Sequence, residues 1–402
     1  MLRNINTDYS VDTFYYSLSI LLERAAYYSL LTPLFMFITA EKPYMASVDA
    51  ERILTLFMGS FLFSKIAGAL LGDLLIGNRR SMFVGGFIQA LGAFILFIPS
   101  VYGFYAGIFL IVLGNGLFKS NIIATYGKLY LSKLHLLDSG FTIWYLVINI
   151  GAALGAFLTG RLGESLGIEA WFVVSGSLML LSLVPLLKTK EQVFTGSREI
   201  LSRKGAIPLM IAFLFVGLSA VIFRLAEVQI GELQNTYLDA VTVVLPKSIW
   251  DLTRSYLYLL LSSVAVIVWT YRYRNQFFKL LLGFIAAAIT FGLLINITAV
   301  PANYQLYYLM VSFLFLTISE VYIAPIIHSL LTRYIHPKYL AIAMSLAFLP
   351  TKLIVLGFGL FDDQFYDKPK MGLLFGVIVS VLVCLSLIGY MFMSKRNSLP
   401  NQ

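Results

Sequence analysis

Charge is the scarcest thing in this sequence. Only 12% of the 402 residues are Asp, Glu, Lys or Arg, against 59% hydrophobic. That balance excludes an ordinary soluble domain and points to a polytopic membrane protein. Cysteine is almost missing. Cys384 stands alone, so no intrachain disulfide can form. The three histidines, His135, His328 and His336, are scattered, and no His/Cys group has the spacing of a metal site. His328 reads as a packed or interfacial residue rather than a proton relay. No phosphate loop of the GxxxxGK[ST] type occurs, which argues against nucleotide-driven work. No Ser-His-Asp arrangement suggests an intramembrane hydrolase, so no catalytic residue, cofactor or metal is expected and the chain does not read as an enzyme. Acid is scarcer than base, with 20 Asp and Glu against 29 Lys and Arg, a net charge of +9. This is not the footprint of a nucleic-acid partner, because the basic residues are dispersed between apolar runs.

What is present is length without polarity. Twelve apolar segments are long enough to span a bilayer: 13–38, 52–76, 81–100, 103–127, 140–160, 170–187, 206–232, 249–271, 277–300, 305–332, 339–360 and 371–394. Met1 to Asp12 is polar and leads into a run too long for a signal-peptide core, so no cleavable signal is expected. With the N-terminus inside, the cytoplasmic connections carry 17 Lys and Arg and the opposite side carries 7. The bias places both termini in the cytoplasm of a multi-pass cell-membrane protein. The longest polar connection runs from Lys188 to Lys204 and divides the chain into two sets of six helices. The expected fold is all-α, with an N-terminal six-helix bundle over 1–187, a cytoplasmic linker over 188–205 and a C-terminal six-helix bundle over 206–402. That is the layout of the major facilitator architecture.

Two charges interrupt the first apolar segment. Glu23 and Arg24 fall near the middle of a spanning helix, where a charge costs several kcal/mol and usually faces a partner, a water-filled cavity or a substrate path. Adjacent helix positions differ by about 100°, so the two side chains are expected to point in different directions. Tyr27 and Tyr28 follow Arg24 at three and four residues and share its face. The alternative is a buried ion pair with structural aromatics around it.

Further polar residues recur at membrane depth. In Gly114-Asn115-Gly116-Leu117-Phe118-Lys119-Ser120-Asn121, Lys119 lies in an apolar run, and its helix could present it beside Arg24; two cations in one cavity attract a carboxylate. The alternative is a lysine that snorkels to the interface. In Asp138 to Gly151, Asn149 is a polar handle at depth, and Gly151 with Gly155 forms a small-xxx-small packing face. Between the second and third segments, Gly68 to Arg80 includes Asp73, Gly77, Arg79 and Arg80. This loop resembles the signature loop of the major facilitator superfamily, in which Asp73 caps a neighbouring helix or pairs with a basic residue.

Taken together, Glu23-Arg24 with Tyr27-Tyr28, the GNGLFKSN run at 114–121, GKLY at 127–130, FTIWYLVINIG at 141–151 and Ser319-Glu320-Val321-Tyr322-Ile323-Ala324-Pro325 resemble the proton-dependent oligopeptide transporter family. The likeness is dense in the first half and thin in the second. It implies proton-coupled symport of di- and tripeptides by alternating access. Arg24 and Lys119 would hold the substrate carboxylate. Tyr27, Tyr28 and Asn149 would line the pocket. Glu320 would receive the substrate amino group or gate the cytoplasmic side. Glu23, Glu320, Glu227 and Asp73 would serve proton coupling or gating. Arg224 to Gln229 only loosely resembles the family's Glu-Gln segment, and an Arg224–Glu227 surface pair is the alternative there. The implied partners are a small peptide or related small molecule, protons and the lipid bilayer, with the chain acting as a monomer.

Several positions depart from the family pattern. Ile20 stands where the family usually has a second Glu, one commonly linked to proton coupling. Ala347 stands where a pocket Trp is usual, and Lys65 where Pro is usual. Lys352 is an unusual intramembrane cation. More cations and fewer aromatics suggest a pocket tuned to something more acidic than ordinary dipeptides. Pairing of Lys65 and Lys352 with acids inside the bundle is the other reading, and the sequence leaves both open. A second function also remains open, a major facilitator transporter for another small anion, amino acid or peptide-like compound without proton coupling.

Overall fold

The structure is a computed structural model that describes residues 8–39, 50–190, 210, 213–219, 221–226, 230, 247–272, 275–297, 305–347, 349–350 and 369–397. All regular structure among them is helical. The helices are α1 (Val11–Thr39), α2 (Ala50–Leu70), α3 (Asn78–Leu96), α4 (Val101–Lys128), α5 (Leu137–Leu166) and α6 (Ile168–Leu187). They continue as α7 (Phe213–Ala226), α8 (Lys247–Tyr271), α9 (Gln276–Ile295), α10 (Gln305–Tyr334), α11 (Leu340–Leu346) and α12 (Pro369–Asn397). Each of the twelve apolar segments thus falls at least in part on a described helix. Among the described residues, seven helices are long and apolar enough to cross a membrane. Large apolar side chains such as Phe63, Phe109 and Leu382 lie mostly exposed, as expected of a surface that meets lipid rather than water.

Local chemistry sets the breaks. The side chain of Ser100 accepts from the Gly103 amide at 2.9 Å and caps α4, and Asn275 caps α9 through the Phe277 amide at 2.9 Å. Gly77 and Gly167 hold φ of 84° and 77° at the entries to α3 and α6, a region that side-chain-bearing residues rarely adopt. The end of α2 does not stop cleanly. Leu71–Ile76 winds as a π-helix, a form that favours functional positions and that apolar periodicity did not reveal.

The chain divides into two compact units. One comprises Met1–Ala206 with Leu331–Phe348, and the other Ile207–Leu330 with Leu349–Gln402. In the first, α3 runs along α4, α1 packs on α5 and α6, and α2 lies on α4. Its aromatic core gathers Phe37, Phe57, Phe61, Phe104 and Phe172. Phe37 stacks on Phe104 at 5.9 Å and meets Phe172 edge-on at 5.4 Å.

Glycine sets the helix spacing where the site forms. A Cβ on Gly151 would sit 2.5 Å from the Leu21 carbonyl oxygen and 2.7 Å from Arg24 Cβ, so the expected small-residue face of α5 lets α1 approach at the depth of Arg24. Gly114 and Gly116 do the same for α4. Gly114 lies against the backbone of Gly85 and Gln89 on α3, and Gly116 against Ser64 on α2.

In the second unit α12 packs along α9. Gly376 accommodates Phe291, and Phe277 meets Tyr390 at 4.8 Å. The Trp269 ring is edge-on to Tyr322 at 5.3 Å and carries Lys279 Nζ 4.6 Å from its centroid. Gln276 donates to Ser329 Oγ at 2.6 Å.

Candidate functional site

Glu23 and Arg24 are buried, at 1% and 5% exposure, and they grip each other. Arg24 Nε donates to Glu23 Oε2 at 2.6 Å, and Nη2 donates to Glu23 Oε1. The expectation that neighbouring residues point apart is therefore corrected. The Cα–Cβ bonds of adjacent helical residues diverge, but the arginine arm is long enough to bring its fork back onto the carboxylate in a bidentate pair. Asn115 Nδ2 lies 3.5 Å from Glu23 Oε1, and Gln89 on α3 faces the same carboxylate.

Tyr27 is the floor of this group. The Arg24 guanidinium carbon lies 4.7 Å from its ring centroid and Lys119 Nζ lies 5.1 Å from it. Two cations thus meet one aromatic ring, which is attractive through the ring quadrupole and gains strength away from water. Tyr27 is held edge-on by Tyr28 at 5.4 Å and by Phe61 at 5.9 Å, and it packs against the aromatic core. Lys119 is half-buried. Among the described residues no carboxylate lies within ion-pair distance of it, because the nearby Glu23 is committed to Arg24.

The remaining candidates spread out. Tyr28 stands against α5, with its Cβ beside Gly155. Asn149 donates back to the Tyr145 carbonyl at 2.9 Å, one turn earlier on α5. Glu320 is a half-buried residue of α10 in the second unit. His328 is buried on the same helix, with Nδ1 3.0 Å from the Ala324 carbonyl. Ile20 and Ala347 are buried. Glu227 and Lys352 lie outside the described residues. Asn115 and Gln89 are the residues that sequence reasoning missed. Asn115 was visible as a polar residue between two glycines at membrane depth, but only the α1–α4 contact shows what it faces.

Asp73 takes a separate place, on the π-helical end of α2. Its Oδ2 accepts from the Ile342 amide at 2.9 Å and so caps α11. Its Oδ1 accepts from Asn78 Nδ2 at 2.9 Å, and Asn78 also donates to Asn121 and accepts from Lys128 Nζ at 2.7 Å. Arg79 donates to the Thr189 and Leu186 carbonyls at the end of α6, where a cation complements the helix dipole.

Residues 79–199 match the family model described as the POT family. Over that segment the chain resembles the POT family. It is 31% identical over 201 residues to the uncharacterized transporter YclF of Bacillus subtilis, covering 48% of this chain and 40% of that protein. It is also 31% identical over 174 residues to the peptide transporter YePEPT of Yersinia enterocolitica, covering 42% of this chain and 34% of that one. The chain thus spans well under half the length of the curated relatives it matches. The fold extends further than the sequence likeness. A bacterial homologue of the human drug peptide transporters matches with a TM-score of 0.61 at 16% identity, over 96% of this chain and 99% of that one. The major facilitator proton:xylose symporter XylE matches with a TM-score of 0.69 at 16% identity, over 94% and 95%. A multi-pass membrane protein with a major facilitator fold follows. The matched POT segment contains Lys119 and Asn149, whereas Glu23, Arg24 and Tyr27 precede it.

Proposed function

We propose that this chain is a secondary active transporter of the POT kind that carries small peptides together with protons by alternating access. The observation that carries the reading is Lys119, a cation held on the Tyr27 ring beside a closed Glu23–Arg24 pair, with no carboxylate within ion-pair distance of it among the described residues. A substrate carboxylate suits this group of cations. It would pair with Lys119 and compete with Glu23 for the Arg24 fork, which suits a planar bidentate acceptor. Tyr27 and Tyr28 give the apolar walls that such a pocket needs around a few convergent polar groups. Asn149 would add a contact from α5, and Glu320 would receive the substrate amine. Support also comes from the relatives, one of which is named a peptide transporter. No hydrolytic or redox step is involved.

Proton coupling needs a carboxyl group whose neighbours change during the cycle, because burial favours its neutral form and a nearby cation its charged form. Glu320 is the first choice and Glu23 the second, with Glu227 and Asp73 as further candidates. Both termini and the 188–205 linker would face the cytoplasm, in the cell membrane, and the monomer would be the working unit. One observation favours a second reading. Ile20 is a buried hydrocarbon at 2% exposure and cannot titrate, which favours a carrier of a small anion or peptide-like compound without proton coupling. Uptake of a labelled dipeptide into proteoliposomes, with and without an inward proton gradient, separates the readings. Gradient-driven accumulation is expected. Uptake that ignores the gradient supports the second reading, and no dipeptide uptake under either condition refutes the first.

A further inference from the structure

A small cavity of ≈ 10 Å³ lies inside the first unit, between α1, α3, α4 and α6. Tyr27, Gln89, Ile111, Ser175 and Met179 line part of it. Apart from Tyr27 these residues are buried. The space is about what one water molecule needs.

Gln89 has two polar ends, and only one of them is answered. An ionised carboxylate accepts and never donates, so the end of Gln89 that serves Glu23 is its amide nitrogen. The amide oxygen, Oε1, is buried and accepts no hydrogen bond among the described residues. A buried acceptor in that condition is costly, whereas a water beside it removes the cost. Ser175 supplies a second acceptor on the same cavity wall. Ser29 Oγ donates to the Ala26 carbonyl at 3.0 Å. The proton in the 3.0 Å contact between Ser29 Oγ and Ser175 Oγ therefore comes from Ser175. Ser175 Oγ keeps its lone pairs for a donor in the cavity. Two acceptors on the wall match the two hydrogens of one water.

We propose that this cavity holds a single internal water, which donates to Gln89 Oε1 and to Ser175 Oγ. It closes a hydrogen-bonded line from the Ala26 carbonyl through Ser29, Ser175 and Gln89 to Glu23, and so ties α6 to the ion pair on α1. A metal ion does not suit the site, because no carboxylate or imidazole lines it. An apolar group would leave both acceptors unanswered. The site is independent of what the protein carries.

The test is X-ray radiolytic footprinting of the purified full chain in nanodiscs, read by mass spectrometry. Radiolysis of a bound water releases a hydroxyl radical that oxidises the nearest reactive side chain, here the thioether of Met179. Met179 is 2% exposed, so bulk water does not reach it, and Tyr102 at 88% exposure reports the dose. Met179 sulfoxide above the unirradiated control is expected in the wild type. Gln89→Leu should lower it by about fivefold or more, as loss of one hydrogen bond of ordinary strength implies. Ser175→Ala should lower it likewise. No Met179 oxidation above the control in the wild type overturns the proposal, because the cavity is then dry. So does oxidation that persists at the wild-type rate in Gln89→Leu. If Gln89→Leu does not fold, Ser175→Ala decides in the same way, since it leaves Ser29 on the Ala26 carbonyl. None of these outcomes bears on whether peptides are carried.

Discussion

The two ends of the Glu23–Arg24 pair should be unequally costly to remove. Breaking a buried ion pair by deleting one partner typically costs about 3–5 kcal/mol, because the other charge is left uncompensated. Glu23→Gln leaves Arg24 and Lys119 on the Tyr27 ring with no other carboxylate within ion-pair distance among the described residues. The ring offsets part of that loss, since a desolvated cation–π contact contributes about 2 kcal/mol, but it already does so in the wild type. A loss of about 3 kcal/mol or more is expected. Arg24→Met leaves Glu23 with Asn115 at 3.5 Å and with Lys119 in electrostatic range, so a replacement cation is at hand and the loss should be smaller. The double variant Glu23→Leu with Arg24→Met removes both charges. It should recover to within about 1 kcal/mol of wild type, as apolar replacement of a buried pair often does. Denaturant unfolding in detergent micelles, followed by tryptophan fluorescence, reads the order; Trp144 and Trp171 are buried in the same unit. The reasoning fails if Glu23→Gln is as stable as wild type, if Arg24→Met costs more than Glu23→Gln, or if the double variant is the least stable of the four.

Three more outcomes are expected. Arg24→Lys should lose most transport and Arg24→Ala all of it, since lysine lacks the fork that matches a carboxylate; uptake at wild-type rate by Arg24→Ala would make the residue purely structural. Glu320→Gln should abolish proton-driven accumulation while substrate counterflow stays measurable, and accumulation against a gradient at the wild-type rate would move the coupling role to Glu23. Gly155→Leu should lower stability by about 1–3 kcal/mol or more, because its Cβ would lie 2.6 Å from the Ala25 carbonyl oxygen and 3.0 Å from the Ser29 amide. A Gly155→Leu melting temperature equal to wild type would show that α1 and α5 are free to separate there.

Composition and hydrophobic run length determined the class and most of the helix plan. A chain with 12% charge and twelve long apolar runs has few ways to satisfy its backbone in lipid, and helices are the ones available without closing a barrel. The positions of Glu23, Arg24 and Lys119 were also legible, because each is costly at membrane depth and so stands out from its surroundings. What the sequence could not supply was the partner of each charge. The 100° rule places Cβ atoms, not the ends of long arms, so the closure of Arg24 onto its neighbour Glu23 had to come from the fold. The same holds for Asn115 and Gln89, whose importance depends on α3 and α4 reaching α1. It holds also for Asp73, which caps a helix 269 residues further along the chain. The π-helical turn that carries Asp73 left no mark in the apolar pattern, since its shift in register is local and its residues are as apolar as their neighbours. Residue type and depth determined which side chains are costly; helix contacts such as those at Gly114, Gly116, Gly151 and Gly155 decided what they touch, because there the backbones come close together.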